Sequence, residues 1–297
     1  MSAADAALEI ADAHQHIGGL GSALGSWREP ALGADEERAQ RVAAMRGHGI
    51  RWAVIQPAHA YDKADGIAAT RRVNDGIAAY RARDPEHFPI ALGTVEPSHG
   101  ERSVEEIERA ARELDLDGIS WHHRLQGSFI DIPAMRPYLR KLAELSLVPF
   151  VHVNAESRLE APWQLQKLAY EFPELSFVAL DAFYSYEQTN EVLFYAERTP
   201  NIVWDLGGPY VASLFAFIEP AIRSLGAERF CFSANLSYLA SAHEERPALL
   251  GAIERSGLSR EQRENLLSGS LRRLFPRLAK QTAEARSGGR GDAREHS

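Results

Sequence analysis

Cysteine is nearly absent from this chain: Cys231 is the only one in 297 residues. A single cysteine excludes an intrachain disulfide and suits a reducing compartment, so a cytoplasmic protein is expected. Its strand-like setting, Arg229-Phe230-Cys231-Phe232-Ser233, makes buried packing its expected role. Long apolar runs are missing as well. No stretch reaches the roughly 18 apolar residues that a membrane span needs. The opening residues, MSAADAALEIADAH, have no basic segment leading into an apolar run, so no secretory signal is expected. Basic charge is scarce too. With 33 Lys and Arg against 41 Asp and Glu, the net charge of −8 argues against a nucleic-acid partner, whose phosphates need clustered cations. Finally, no glycine fingerprint for a dinucleotide follows any strand-like run.

What is present is a rhythm. Short apolar or β-branched runs occur at Leu8–Ala13, Arg51–Gln56, Pro89–Val95, Asp117–Trp121, Val148–Val153, Ser176–Leu180, Ile202–Asp205 and Arg229–Ser233. They do not alternate, as expected of parallel strands covered on both faces. Segments with helical spacing separate them: Glu36–Gly47, Gly66–Arg83, Ser103–Leu114, Ala134–Leu145, Ala161–Phe172, Tyr186–Glu197, Pro209–Leu225 and Glu244–Glu254. Ser103-Val104-Glu105-Glu106 matches a capping box at the start of the third. Eight strand–helix units without a hairpin signal predict an α/β fold, a (β/α)8 TIM barrel. Ser259–Leu267 and Leu271–Leu278 read as extra carboxyl-terminal helices. Residues 1–282 form one expected domain; residues 283–297, rich in Gly, Arg, Asp and Ser, form an expected disordered tail.

In such a barrel the chemistry collects just past the strand ends. That is where the polar residues fall: His14 and His16, Gln56 and His59, Glu96, His122, His123 and Arg124, His152 and Asn154, Asp181, Asp205, and Asn235. Asp12-Ala13-His14-Gln15-His16 is the sharpest motif. Two histidines two apart on a strand share a face and can share a cation. His152 closes an otherwise apolar strand across the barrel and is the candidate third metal ligand. Three nitrogens with an open position can activate water, and their ring nitrogens should lie within ~4–5 Å of one another. Arg124 suits two-pronged binding of a carboxylate, and His122, His123 and Asn154 are the other candidates for contacting substrate. Neighbours on a strand point oppositely, so one of His122 and His123 should face the mouth. Glu96 is a candidate partner orienting a ligand histidine. Asp205, before Leu206-Gly207-Gly208-Pro209, is either a site carboxylate or a cap of the next helix. Trp27, Tyr61, Trp163, Phe183, Tyr184 and Tyr210 fall on the mouth side and are candidates to line an apolar pocket.

The strand-one D-x-H-x-H, the strand-five Pro149-x-x-His152 region and the eight-strand order resemble the amidohydrolase superfamily, and within it the amidohydrolase 2 branch of hydrolases and decarboxylases. The resemblance runs from Ile10 to about Phe275. It implies a divalent metal at the barrel mouth, usually zinc, a small-molecule substrate, and a homodimer by analogy. The implied reactions are metal-dependent hydrolysis of an amide, ester or lactone, the leading expectation, or non-oxidative decarboxylation of an aromatic or unsaturated acid. Two departures stand out. The family's eighth strand ends in an aspartate that binds metal and moves the proton of the attacking water; here the stretch reads Phe232-Ser233-Ala234-Asn235. An amide cannot take a proton near neutral pH. The sixth strand, where the family has a histidine, reads Leu180-Asp181-Ala182-Phe183, and the closing-helix asparagine appears as Ser270. Either Asp181 serves as base or fourth ligand, or Asn235 is an engineered change, or hydrolysis has been lost and the barrel only binds.

Overall fold

The computed structural model describes residues 7–17, 35–208, 210–234 and 245–278. Trp27, Asn235 and the 283–297 tail lie outside them. Eight parallel strands follow one another in sequence order. They are β1 (Ile10–Ile17), β2 (Ile50–Pro57), β3 (Ile90–Thr94), β4 (Gly118–Trp121), β5 (Val148–His152), β6 (Phe177–Leu180), β7 (Ile202–Asp205) and β8 (Phe230–Cys231). A hydrogen bond from Ala13 N to Phe232 O, 3.1 Å, brings the last strand back to the first and closes the barrel. The intervening helices are α1 (Asp35–Gly47), α2 (Ile67–Arg83), α3 (Glu101–Arg112), α4 (His123–Gln126), α5 (Met135–Leu145), α6 (Pro162–Glu171), α7 (Tyr186–Ala196), α8 (Val211–Leu225) and α9 (Glu245–Arg255). The (β/α)8 barrel is the architecture the strand–helix rhythm predicts. Among the described residues, no helix is long and apolar enough to cross a membrane.

Two apolar layers hold it together. Ala11, Ala13, Trp52, Val54, Ile90, Leu92, Phe150, Val178, Leu180 and Val203 fill the lumen. Ala53, Ile55, Ile119, Trp121, Val151, Ala179 and Trp204, the residues between them, pack outward on the helices. This two-sided burial is why the strands read as unbroken apolar runs. Gly118 sits where β4 and β5 press together: an added Cβ would collide with the Val148 carbonyl oxygen. Gly118→Ala should therefore cost about 3 kcal/mol of stability by overpacking, read as a lowered denaturant midpoint; a midpoint unchanged from wild type would contradict the packing described.

The carboxyl-terminal helices decide which end of the barrel is open. α10 (Arg260–Glu264), a π-helical turn (Asn265–Gly269) and α11 (Ser270–Leu274) run on without a break. Leu271, Phe275 and Leu278 join the lumen cluster, and the Phe275 ring lies 6.2 Å from that of Phe150. Arg272 bonds Glu9, before β1, and Arg277 bonds Asp117, before β4. These are the amino-terminal ends of the strands, so the helices plug that end and leave the carboxyl-terminal mouth for the site. The two helices expected here are one path because the Leu266 carbonyl, within the π turn, accepts Phe232 N at 2.9 Å.

The capping box expected at Ser103 is not formed. Gly100, with φ 56°, turns the chain early and α3 begins two residues before Ser103. Ser103 Oγ instead donates to the Glu96 carbonyl at 2.8 Å, and Glu106 is taken by Asn74 and Arg109. The box occurs at Ser259 and Gln262, opening α10.

Candidate metal centre

The site starts from a defect in β1. Ala11 and Ala13 face the lumen, so strict alternation would turn His14 and His16 outward. The pairing with β2 breaks register between Asp12 and Gln15: Asp12 lies opposite Ala53 and Gln15 opposite Ile55, three steps against two. The extra residue inverts the parity above it, as a bulge does, and both histidines swing inward. Buried Asp12 staples the bulge. Its Oδ1 accepts the amides of His14 at 3.0 Å and Ala234 at 2.8 Å, and its Oδ2 accepts Gln15 Nε2 at 2.9 Å.

β5 keeps regular alternation and sends His152 into the lumen above Phe150. The result is convergence of three imidazoles. The Nε2 atoms of His14 and His16 are 2.9 Å apart, those of His14 and His152 3.1 Å, and those of His16 and His152 3.2 Å. Behind them, His16 Nδ1 donates to the Pro57 carbonyl at 2.9 Å and His152 Nδ1 to the Trp121 carbonyl at 2.8 Å. Those bonds fix the tautomer and leave each Nε2 lone pair aimed at the common point, the arrangement a metal ion requires. His14 Nδ1 faces Asp205 Oδ2 at 3.3 Å and Asp181 Oδ1 at 3.7 Å. Three close nitrogen acceptors without an ion would leave their lone pairs opposed, so these residues fit a bound divalent cation.

Charge follows from burial and neighbours. Burial, with the repulsion of surrounding imidazoles, holds His16 and His152 well below the usual histidine pKa, so both rings are neutral, as a metal ligand must be. Burial opposes charge on His14 too, but the Asp181, Asp205 and Asp12 carboxylates outweigh it and raise its pKa. The Asp181 carboxyl is raised by burial, restrained by His14 and pushed further by Asp205. Asp181 sits just past β6 in a left-handed conformation, φ 56°, with a fifth of its side chain exposed.

Alternation also places His122 inward above Ser120, where its ring stacks on His152 at 4.2 Å and 12°. His122 Nδ1 donates to buried Glu160 Oε1 at 2.5 Å, and Glu160 also accepts the Arg124 amide at 2.9 Å. Arg124 itself is half exposed, its Nε 3.7 Å from Glu160 Oε2. His123 does not join the cluster. It opens α4, buried, with Nδ1 on Ser128 Oγ at 3.0 Å and its pKa pushed down to about 3 by burial and by His122. Asn154 spends its side-chain oxygen on the Glu156 amide at 2.8 Å, inside its own loop.

Three readings of the mouth residues are resolved. Asp205 is no helix cap: it points into the lumen, its Oδ1 accepting Ala182 N at 3.1 Å and its Oδ2 facing His14. Glu96 orients no ligand histidine; its carboxylate meets Tyr61 OH at 2.6 Å and Lys63 Nζ at 3.3 Å. Of the mouth-side aromatics, Tyr61 and Phe183 are buried in packing, whereas Trp163, Tyr184 and Tyr210 stay exposed. Glu160 carried no signal in the sequence, being one glutamate in a polar loop. His59 is marked in the sequence only by position, and it proves to be the fifth imidazole of the cluster, 5.4 Å from His152 and 5.7 Å from His16 between ring centres.

Comparison with known proteins agrees with this fold. An amidohydrolase family profile matches residues 11–277. A 101-residue stretch is 28% identical to 2-amino-3-carboxymuconate-6-semialdehyde decarboxylase of Dictyostelium discoideum; it spans 34% of this chain and 25% of that relative's length. Among solved structures, 5-carboxyvanillate decarboxylase from Sphingomonas paucimobilis superposes with a TM-score of 0.68 at 16% identity, covering 91% of this chain and 99% of the other. The enzyme of the same name from Novosphingobium aromaticivorans, complexed with manganese and a nitrobenzoic acid, gives 0.64 at 16%, covering 90% and 95%.

Proposed function

The chain belongs to the amidohydrolase family, and from that premise we propose that it is a metal-dependent decarboxylase that removes a carboxylate, without oxidation, from a small aromatic or unsaturated acid. The observation that carries this reading is the pair of carboxylates, Asp181 and Asp205, facing one imidazole nitrogen within 3.7 Å beside the three-histidine centre. Burial, opposed by His14 and reinforced by the nearby Asp205 carboxylate, raises the Asp181 carboxyl, so Asp181 can hold a proton. Hydrolysis needs the reverse, a group that takes a proton from water, and position 235 carries an amide. The similarity to a decarboxylase over 101 residues points the same way.

A divalent ion held by His14, His16 and His152 would supply Lewis-acid polarisation of the substrate's oxygens. Manganese is the proposed ion rather than zinc, because the similar 5-carboxyvanillate decarboxylase of Novosphingobium aromaticivorans is complexed with manganese. Asp205 anchors His14 and sets its orientation. The bond from ring or vinyl carbon to carboxylate breaks, CO2 leaves, and the electron pair left on carbon takes the proton of the Asp181 carboxyl. Partly exposed Asp181 then regains a proton from solvent. The test is incubation of metal-loaded protein with carboxyl-labelled aromatic acids, alongside aryl esters and lactones. Labelled CO2 is the expected product; ester or lactone cleavage without CO2 release would make the enzyme a hydrolase.

Arg124 is read as the contact for a second anionic group of the substrate. Arg124→Ala should raise KM about tenfold or more and leave the melting temperature within about a degree, because its side chain is half exposed. A lowered melting temperature with KM unchanged would make it structural.

A further inference from the structure

On the β2 side of the metal centre two buried side chains are short of partners. Gln56 is the last lumen-facing residue of β2: Trp52 and Val54 below it line the lumen, while Ala53 and Ile55 pack outward. It lies in register with His16. Gln56 is 1% exposed, yet neither its Oε1 nor its Nε2 has a hydrogen-bond partner. His59, three residues on and also 1% exposed, places its ring against His16, His122 and His152. Its Nε2 lies 3.0 Å from Ser120 Oγ and 3.2 Å from the Ser120 carbonyl oxygen. The carbonyl only accepts and the hydroxyl oxygen can accept, so the tautomer that satisfies both puts the hydrogen on Nε2 and leaves a lone pair on Nδ1. That Nδ1 is buried and without a partner. A buried polar group left unpaired costs about 1–3 kcal/mol, and most such groups are paired. Here an amide donor, an amide acceptor and an imidazole acceptor stand unmatched beside one metal ligand, with no carboxylate or guanidinium among them.

We infer that Gln56 and His59 form a neutral hydrogen-bonding subsite, which takes a hydroxyl-bearing edge of the acid while the three-histidine centre takes its carboxylate end. A hydroxyl can donate to His59 Nδ1, and the Gln56 amide can donate to the same oxygen or bond its neighbour. The subsite rests on the decarboxylase reading for its substrate class and selects a hydroxylated acid over its unsubstituted parent.

The test uses manganese-loaded protein and calorimetric titration with benzoate and with 2-, 3- and 4-hydroxybenzoate, in wild type, Gln56→Leu and His59→Phe. At least one hydroxybenzoate should bind wild type on the order of tenfold more tightly than benzoate. In both variants that margin should fall to about twofold or less, with bound metal and benzoate affinity unchanged. A margin kept in both variants, or absent from wild type, would overturn the subsite. Ligand-free melting gives an independent answer. A glutamine waiting for a ligand is replaced by leucine without loss, so Gln56→Leu should melt at the wild-type temperature or above it; a fall of several degrees would show a structural glutamine and end the inference. If none of the four acids binds loaded wild type, the aromatic-acid reading fails, and the melting result still decides whether Gln56 faces a ligand.

Discussion

His152→Ala should leave the protein folded and nearly free of metal. Purified wild type is expected to hold about one divalent ion per chain, and the variant less than a tenth of that by elemental analysis. Removing one of three imidazoles takes away a third of the protein's donors, and affinity should fall by on the order of 10^3 or more, since losing merely an outer partner costs ~10–100-fold. Activity should fall with it. The fold survives because the ring's one hydrogen bond outside the imidazole cluster is to the Trp121 carbonyl, a loss of about 1–3 kcal/mol. Full metal content in the variant would mean that His14, His16 and His152 do not share an ion.

Asp181→Asn should be the most damaging change that spares the metal. If Asp181 delivers the proton to carbon, kcat falls by about 10^2–10^4, the range for a lost general acid, while metal content and melting temperature stay near wild type. Turnover unchanged in Asp181→Asn would remove Asp181 from the chemistry. Asn235→Asp addresses the hydrolytic alternative. A hydrolase that has lost its base should gain ester or lactone cleavage from the restored carboxylate, whereas a decarboxylase should stay at background for those substrates.

The barrel was legible because parallel strands covered on both faces leave apolar runs that need no register to be recognised. The three histidines were legible as strand-end residues, but the way His14 and His16 come to face inward was not. Read as regular β1, Ala11 and Ala13 in the lumen would put both histidines outside; the bulge stapled by Asp12 lies in pairing with β2, which no local pattern records. Asp205 reads as a site carboxylate or as a cap because the Gly207-Gly208 turn follows it, and what decides between them is the imidazole across the barrel. Glu160 could not be found at all: its burial against His122 depends on how one loop folds over the mouth. Ser103 shows the same limit in a helix, where a sound local motif yields to the Glu96 carbonyl.

At the three-histidine centre a carbon–carboxylate bond should be replaced by a carbon–hydrogen bond. This exchange is tested most directly by running the reaction of metal-loaded enzyme in D2O and examining the product by NMR and mass spectrometry. CO2 should be released and one deuterium should stand on the carbon that bore the carboxylate, both lost on chelation and restored by manganese. A turned-over product that keeps its carboxylate, with oxygen from water and no carbon-bound deuterium, would contradict it.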